Sequence, residues 1–167
     1  MNRSRYLLYV LVIGIPFGLS FLWVKPNAKT TNECISYVKK ESMEKDALNI
    51  YGEPLGSCCT DPMTGFYRNG YCQTSRDDYG THIACAVVTK EFLEYSKTQG
   101  NDLMSPNPNY HFPGLKPGDK WCLCITRWLK AVKEGVAPPL DLSATHQNAL
   151  QYCNLELLQL YDVAKQN

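Results

Sequence analysis

Apolar and polar positions follow different rhythms in successive parts of this chain. Tyr6 to Val24 is an uncharged apolar run of 19 residues, which as a helix would reach about 28 Å at ~1.5 Å per residue, enough to span a bilayer. After a polar linker at Pro26 to Thr31, Thr31 or Asn32 can cap a helix through Ile35 and Val38 to about Leu48, with Lys39, Lys40, Glu41, Glu44, Lys45 and Asp46 on a solvated face. From Asn49 to Thr81 no period is visible. Gly, Pro, Asp, Asn and Cys dominate there, and Asn69-Gly70 between aromatic-bearing segments predicts a hairpin over Gly65 to Cys72.

Regular patterning resumes at His82. His82 to Thr89 reads as a strand, and Thr89 caps a helix that carries Phe92, Leu93 and Ser96 and ends near Gly100. A proline-rich connection leads to the Lys116-Pro117-Gly118-Asp119 turn and a strand over Trp121 to Ile125. Thr126 then caps a helix with Trp128, Leu129 and Val132, stopped by Gly135; Ser143 or Thr145 starts another, and Asn154 caps the last, carrying Leu155, Leu158 and Val163. The expected architecture is α+β: a small, mainly antiparallel sheet with about four to five helices, a loop-rich cysteine-containing region and an N-terminal apolar helix. Residues 1–25 form the anchor or signal, 26–48 the linker and helix, and 49–167 a single globular domain.

The leader adds a membrane. Met1 to Arg5 is short and basic, and the apolar run exceeds the usual signal-peptide core of ~7 to 15 residues. No Ala-x-Ala site precedes Lys25. An uncleaved anchor through residues 6–24 and a cleaved signal both remain open; Arg3 and Arg5 on one flank nearly balance Lys25 and Lys29 on the other, and the expectation leans to a domain outside the cytoplasm, tethered or secreted. Arg3, Arg5 and Lys25 belong to the leader. Of the chain's 17 basic and 16 acidic residues, 14 and 16 are then left, a balance that argues against a nucleic-acid partner.

Cysteine supplies the candidate chemistry. Cys34, Cys58, Cys59, Cys72, Cys85, Cys122, Cys124 and Cys153 make an even set of eight, compatible with disulfides in an oxidising compartment and with metal or thiol chemistry in a reducing one. If Trp121 to Ile125 is extended, Cys122 and Cys124 share one face. With Cys58 and Cys72 they would be the ligands of a zinc site, although no Cys-x₂-Cys pair occurs. Alternatively Cys124, just before a helix start, is a nucleophile with Cys122 as its resolving partner and His82 or His146 as base. His82 and Cys85 would face opposite sides of a strand, which makes Cys85 a core cysteine beside Ile83 and Val87. His146, on a helical face with Leu150 and Cys153, reads as packed or capping. In the third reading the cysteines pin a binding or structural domain, and Tyr51, Phe66, Tyr67, Tyr71, Tyr79 and Tyr110 line a pocket or interface. No phosphate loop, serine elbow or His-Glu-x-x-His motif is present, so no complete reaction centre can be assembled.

Longer runs carry a family likeness: Gly52-Glu53-Pro54-Leu55-Gly56-Ser57-Cys58, Asp61 to Arg68, His82-Ile83-Ala84-Cys85-Ala86-Val87, Gly100-Asn101-Asp102-Leu103, Phe112 to Cys124, Gly135 to Pro139 and Ala144-Thr145-His146. Through them the chain, from about Asn49 to Leu160, resembles a bacterial family of uncharacterised proteins, domain of unknown function 2237. The resemblance implies a shared fold and a shared site drawn from Cys58, Cys72, Cys85, Cys122, Cys124, His82 and His146; it implies no activity. Members are mostly short and without a leader, which suits a reducing cytoplasm and thiols. This chain departs through its anchor and through Cys34, Cys59 and Cys153, which lie outside the matching positions and suggest added disulfides. The expected function is therefore that of a membrane-tethered or exported cysteine-rich binding or structural domain, with zinc binding or thiol redox chemistry at Cys122 and Cys124 as the alternative.

Overall fold

The computed structural model describes residues 47–165. The apolar run 6–24 and nearly all of the helix expected from Thr31 lie outside the described residues. Ala47 and Leu48, at that helix's expected end, are not helical, and Leu48 bridges Pro54. Among the described residues no helix is long and apolar enough to cross a membrane.

Two antiparallel strands, β1 (His82–Val87) and β2 (Lys120–Cys124), form the centre. Ala84 faces Leu123, Cys85 faces Cys122, Ala86 faces Trp121 and Val87 faces Lys120; between Ala84 and His82 the register shifts, so that His82 comes opposite Cys124. The extra residue on β1 is a bulge, the irregularity that bends a strand and redirects the side chain beyond it. The outer edge of β1 is covered by the segment after Pro138: Val87 N–H donates to Pro139 O (2.9 Å), Asp141 N–H to Cys85 O (2.8 Å) and His146 N–H to Ile83 O (3.0 Å).

Helix α1 (Lys90–Thr98) begins where expected. Thr89 accepts from Phe92 N–H at 3.2 Å, and the helix buries Phe92, Leu93 and Ser96 on one face. Helix α2 (Ile125–Lys133) follows β2 without a loop; its cap position is Cys124 rather than Thr126, and Ile125, Trp128 and Ala131 face inward. Trp128 is fully buried, donates from Nε1 to Pro138 O at 3.0 Å, and packs edge-on against Tyr161 at 5.2 Å. Helix α3 (Leu155–Leu160) is capped by Asn154, which accepts from Leu157 N–H at 3.0 Å. These side chains, with Ile83, Leu140, Leu142 and Leu158, make one apolar core.

The α+β class therefore holds, but the helix count does not: three α-helices and four 3₁₀ segments stand in the described residues. The helix expected from Ser143 or Thr145 is instead two 3₁₀ turns, Leu142–Ala144 and Gln147–Gln151. Thr145 and His146 between them are extended. Their groups are committed to β1, because Thr145 Oγ1 accepts from Cys85 N–H (3.1 Å) and the His146 amide bonds Ile83 O, and tertiary bonding overrides local preference. Asn69-Gly70 does not form a hairpin either. Arg68 N–H closes a turn onto Gly65 O (3.1 Å), Asn69 Oδ1 accepts from Tyr71 N–H (3.2 Å), and Gly70 bonds back to Cys58 and Thr64.

Candidate functional site

The antiparallel register puts Cys85 and Cys122 opposite each other. Their amides point outward, Cys85 N–H to Thr145 Oγ1 (3.1 Å) and Cys122 N–H to Thr64 Oγ1 (2.8 Å). This is the arrangement of a non-hydrogen-bonded pair, in which facing side chains come closest. The two sulfurs do not bond each other. Cys85 is joined to Cys58 (Cα–Cα 5.7 Å) and Cys122 to Cys72 (Cα–Cα 5.2 Å). Each bridge thus ties the loop over residues 58–72 to a different strand. Within that loop Cys58 and Cys59 N–H both donate to Gly70 O, and Gly70 N–H donates to Thr64 O (3.0 Å). Gly65, at φ +91°, is required there, since a Cβ would run into the Tyr71 carbonyl oxygen.

All four bonded cysteines are buried together with Ala144. The Sγ atoms of Cys58, Cys72 and Cys85 lie within 4.8 Å of one another, close enough to share a metal ion, yet they are also the atoms that form the disulfides. Cys85 is buried as a core cysteine should be, though as half of a disulfide, and the expectation that Cys122 pairs functionally with Cys124 is corrected by the Cys72–Cys122 bond. Cys124 has a free thiol 3.2 Å from Thr126 Oγ1, in a shallow groove with Phe92, Tyr95 and Arg127. Both Cys122 and Cys124 belong to β2, but Cys122 is bonded to Cys72, whereas Cys124, the last strand residue and the cap position of α2, lines that groove. The expected added disulfides are likewise absent among the described residues: Cys59 and Cys153 are free, and burial pushes the Cys153 thiol up. Cys34 lies outside the described residues.

Beside the sulfur cluster lies a cleft of about 630 Å³, between the Gly65–Arg68 turn, the 102–112 segment and the sheet residues His82, Trp121 and Cys122. Trp121 forms the back wall. Phe112 packs against its ring at 5.1 Å, and the Arg68 guanidinium lies 5.0 Å from the ring centre, within cation–π range. Arg68 Nη1 donates to Met63 O at 3.2 Å, which steadies the side chain while leaving most of its five N–H donors available. Phe66 and Tyr110 form the rim, two of the aromatic residues expected there. Opposite them, Asp102 accepts from Ser105 N–H and Oγ, Met104 N–H and Lys97, bonds that hold its carboxyl well below the usual carboxylate range.

His82 brings an imidazole ring to this cleft. Its Nδ1 is 2.6 Å from Asp78 Oδ1, while Asp78 Oδ2 accepts from His82 N–H (2.7 Å) and Thr74 Oγ1 (3.1 Å). The Asp78 carboxylate is inaccessible to solvent, whereas the His82 side chain is 40% exposed. With Nδ1–H donated to Asp78, Nε2 is the nitrogen left for a ligand. Gly80 sits under the ring: a Cβ there would come within 2.8 Å of Nε2 and 2.9 Å of Nδ1. His146 is elsewhere. Its Nδ1 accepts from Asn148 N–H at 3.1 Å as a 3₁₀ cap, and burial lowers its pKa.

The structure therefore gathers Cys58, Cys72, Cys85 and Cys122 into one cluster, puts His82 in the adjoining cleft with Cys124 as its register partner across the sheet, and leaves the His146 ring capping a 3₁₀ segment. Arg68, Asp78 and Trp121 were not singled out as site residues from sequence. The Asp78-x-x-x-His82 spacing with Gly80 inside it is the signal that was present. Non-glycine residues with positive φ also mark the cleft. Arg68 (52°), Thr81 (50°) and His111 (49°) are the three among the described residues, and all stand in or beside its wall. A family model described as an uncharacterized protein conserved in bacteria (DUF2237) matches residues 48–162, and the chain belongs to that family. No curated protein matches it.

Proposed function

We propose that this member of the family is a binding domain, tethered or exported outside the cytoplasm, whose cleft holds a small anion with a flat apolar body. The observation that carries this reading is the position of the Arg68 guanidinium over the Trp121 ring at the wall of the cleft, with the Asp78-held His82 beside it. A guanidinium held over an indole by one backbone bond keeps N–H donors for a carboxylate or phosphate. Phe66, Phe112 and Tyr110 offer faces to an apolar ring. Strained backbone at Arg68, Thr81 and His111 supports the same assignment, because left-handed non-glycine residues cost of order 1 kcal/mol or more and gather where geometry serves function.

Export is supported by the two disulfides, bonds that persist in oxidising compartments, and by the apolar run at 6–24. Calorimetric titration of the full chain with indole-3-acetate, 4-hydroxybenzoate and phenyl phosphate tests the cleft. Saturable binding is expected, weakened at least about tenfold by Arg68→Gln and unchanged by Arg127→Gln, which alters the other groove. Binding that Arg68→Gln leaves intact, or no saturable binding of any of the three, would sink the reading. For topology, an alkaline phosphatase fused after Asn167 should be active in cells; an inactive, fully expressed fusion overturns the exported placement.

A further inference from the structure

The four bonded sulfurs support a second state that does not depend on the cleft. We propose that Cys58, Cys72, Cys85 and Cys122 form a redox-gated zinc site: two disulfides when oxidised, one tetrahedral zinc tetrathiolate when reduced. Zinc holds four thiolates at about 2.3 Å, which sets neighbouring sulfurs about 3.8 Å apart. The Sγ atoms of Cys58, Cys72 and Cys85 already lie within 4.8 Å of one another, and the fourth sulfur is bonded to that of Cys72. Cys122 Sγ is not part of that 4.8 Å group, so the tetrahedral site forms when the loop cysteines Cys58 and Cys72 shift until all four sulfurs surround one ion.

The supports differ in kind, as a metal clip requires. Cys85 and Cys122 are fixed by the sheet register, and their amides are anchored on Thr145 and Thr64. Cys58 and Cys72 come from the loop and adjust to them. Between Gly56 and Thr81 the only buried apolar side chains are those of Cys58 and Cys72. Reduction alone would leave this loop without its covalent attachment to the sheet, and a zinc ion would restore a single link to both strands. The cluster is also closed to water, with the four residues between 0% and 5% exposed, which suits a structural, four-coordinate ion rather than a catalytic one with an open position.

The chemistry balances with a dithiol reductant of the thioredoxin class. Two equivalents deliver four electrons and four protons, break both S–S bonds, and become disulfides themselves. Zn²⁺ then displaces the four thiol protons. In reverse, a disulfide-class oxidant withdraws two electrons for each S–S bond formed, and the ion leaves.

Cys59, Cys124 and Cys153 are built-in spectators, since none is in the cluster. The test uses the full chain, oxidised or reduced anaerobically with a phosphine, then given Zn²⁺ or Co²⁺ and desalted. About one zinc per reduced chain and almost none per oxidised chain are expected, with a Co²⁺ spectrum showing sulfur charge-transfer bands and tetrahedral d–d intensity. The Cys34→Ser/Cys59→Ser/Cys124→Ser/Cys153→Ser variant, which keeps only the four cluster cysteines of the eight, should behave identically, and Cys122→Ser should lose the four-sulfur spectrum. If Cys122→Ser does not fold, the quadruple variant decides alone. Loss of zinc in it, an octahedral Co²⁺ spectrum, or equal zinc in oxidised and reduced chains overturns the proposal.

Discussion

The segment 56–81 and the segment 120–162 are held by different forces. In the first, Cys58 and Cys72 are the only buried apolar side chains, accompanied by buried polar Thr64, Gln73 and Asp78. In the second, Trp121, Leu123, Ile125, Trp128, Leu140, Leu142 and Leu158 pack into a continuous core. A segment with so little apolar area to bury cannot offset the entropy of ordering it by the hydrophobic effect; covalent bridges and buried hydrogen bonds take over. Freed from supplying core, the same segment places Arg68 at the cleft wall and Asp78 behind His82. Stability and recognition are thus divided along the chain.

Substitutions that strike one region and spare the other break or sharpen this division. The largest effect belongs to Trp128→Ala, which empties a fully buried site and orphans Pro138 O; a loss of about 3–5 kcal/mol is expected in urea titration, with both regions unfolding together. Cys58→Ser opens one bridge of sequence separation 27 and should cost about 3–4 kcal/mol by loop-closure entropy. Its signature differs: limited proteolysis should cut within 56–81 while the helical circular-dichroism signal persists, and early cleavage in 120–162 would contradict the division. Gly80→Ala should lower stability by about 1–3 kcal/mol, since the new Cβ displaces the His82 ring, and should weaken cleft binding without altering thiol content.

The smallest effect is a pH slope from His146. Burial lowers its pKa from 6.5 in the folded chain, so on acidification the unfolded chain takes up the proton first. The contribution is fully present above 6.5 and is lost as pH falls from there towards the depressed folded value. Protonation at Nδ1 would also remove the acceptor for Asn148 N–H. Urea midpoints between pH 7.5 and 5 should decline less for His146→Asn, which keeps a capping oxygen; parallel curves would remove His146 from the account.

Local features were legible. Thr89 and Asn154 were readable as caps because a cap needs only the right side chain two or three residues before an amide. His82 as a strand start and the turn at Pro117-Gly118 depend on equally short spans. The disulfide pairing was not readable, since it depends on the β1–β2 register and on a loop with no periodicity. Cys122 and Cys124 looked like partners because strand alternation alone pairs them; the bond from Cys122 to Cys72 comes from a loop whose position alternation does not fix. Asp78 escaped notice because a four-residue spacing outside a helix carries no geometry until Thr81 turns left-handed and Gly80 lets the ring lie back. Thr145 and His146 escaped their expected helix for the converse reason, as distant β1 competes for their bonds.

The buried hydroxyls of Thr64 and Thr145 have a further consequence. A two-stranded ribbon ordinarily offers two unsatisfied borders on which another chain can template itself. Here Thr64 caps the amide of Cys122 on one border, and on the other Thr145 caps Cys85 while Pro139, Asp141 and His146 complete the row. Side-chain oxygens stand in for a third strand. Guarding against intermolecular sheet growth is therefore assigned on one border to a threonine carried by the stapled loop, so whatever unfastens that loop also uncovers a border of the sheet.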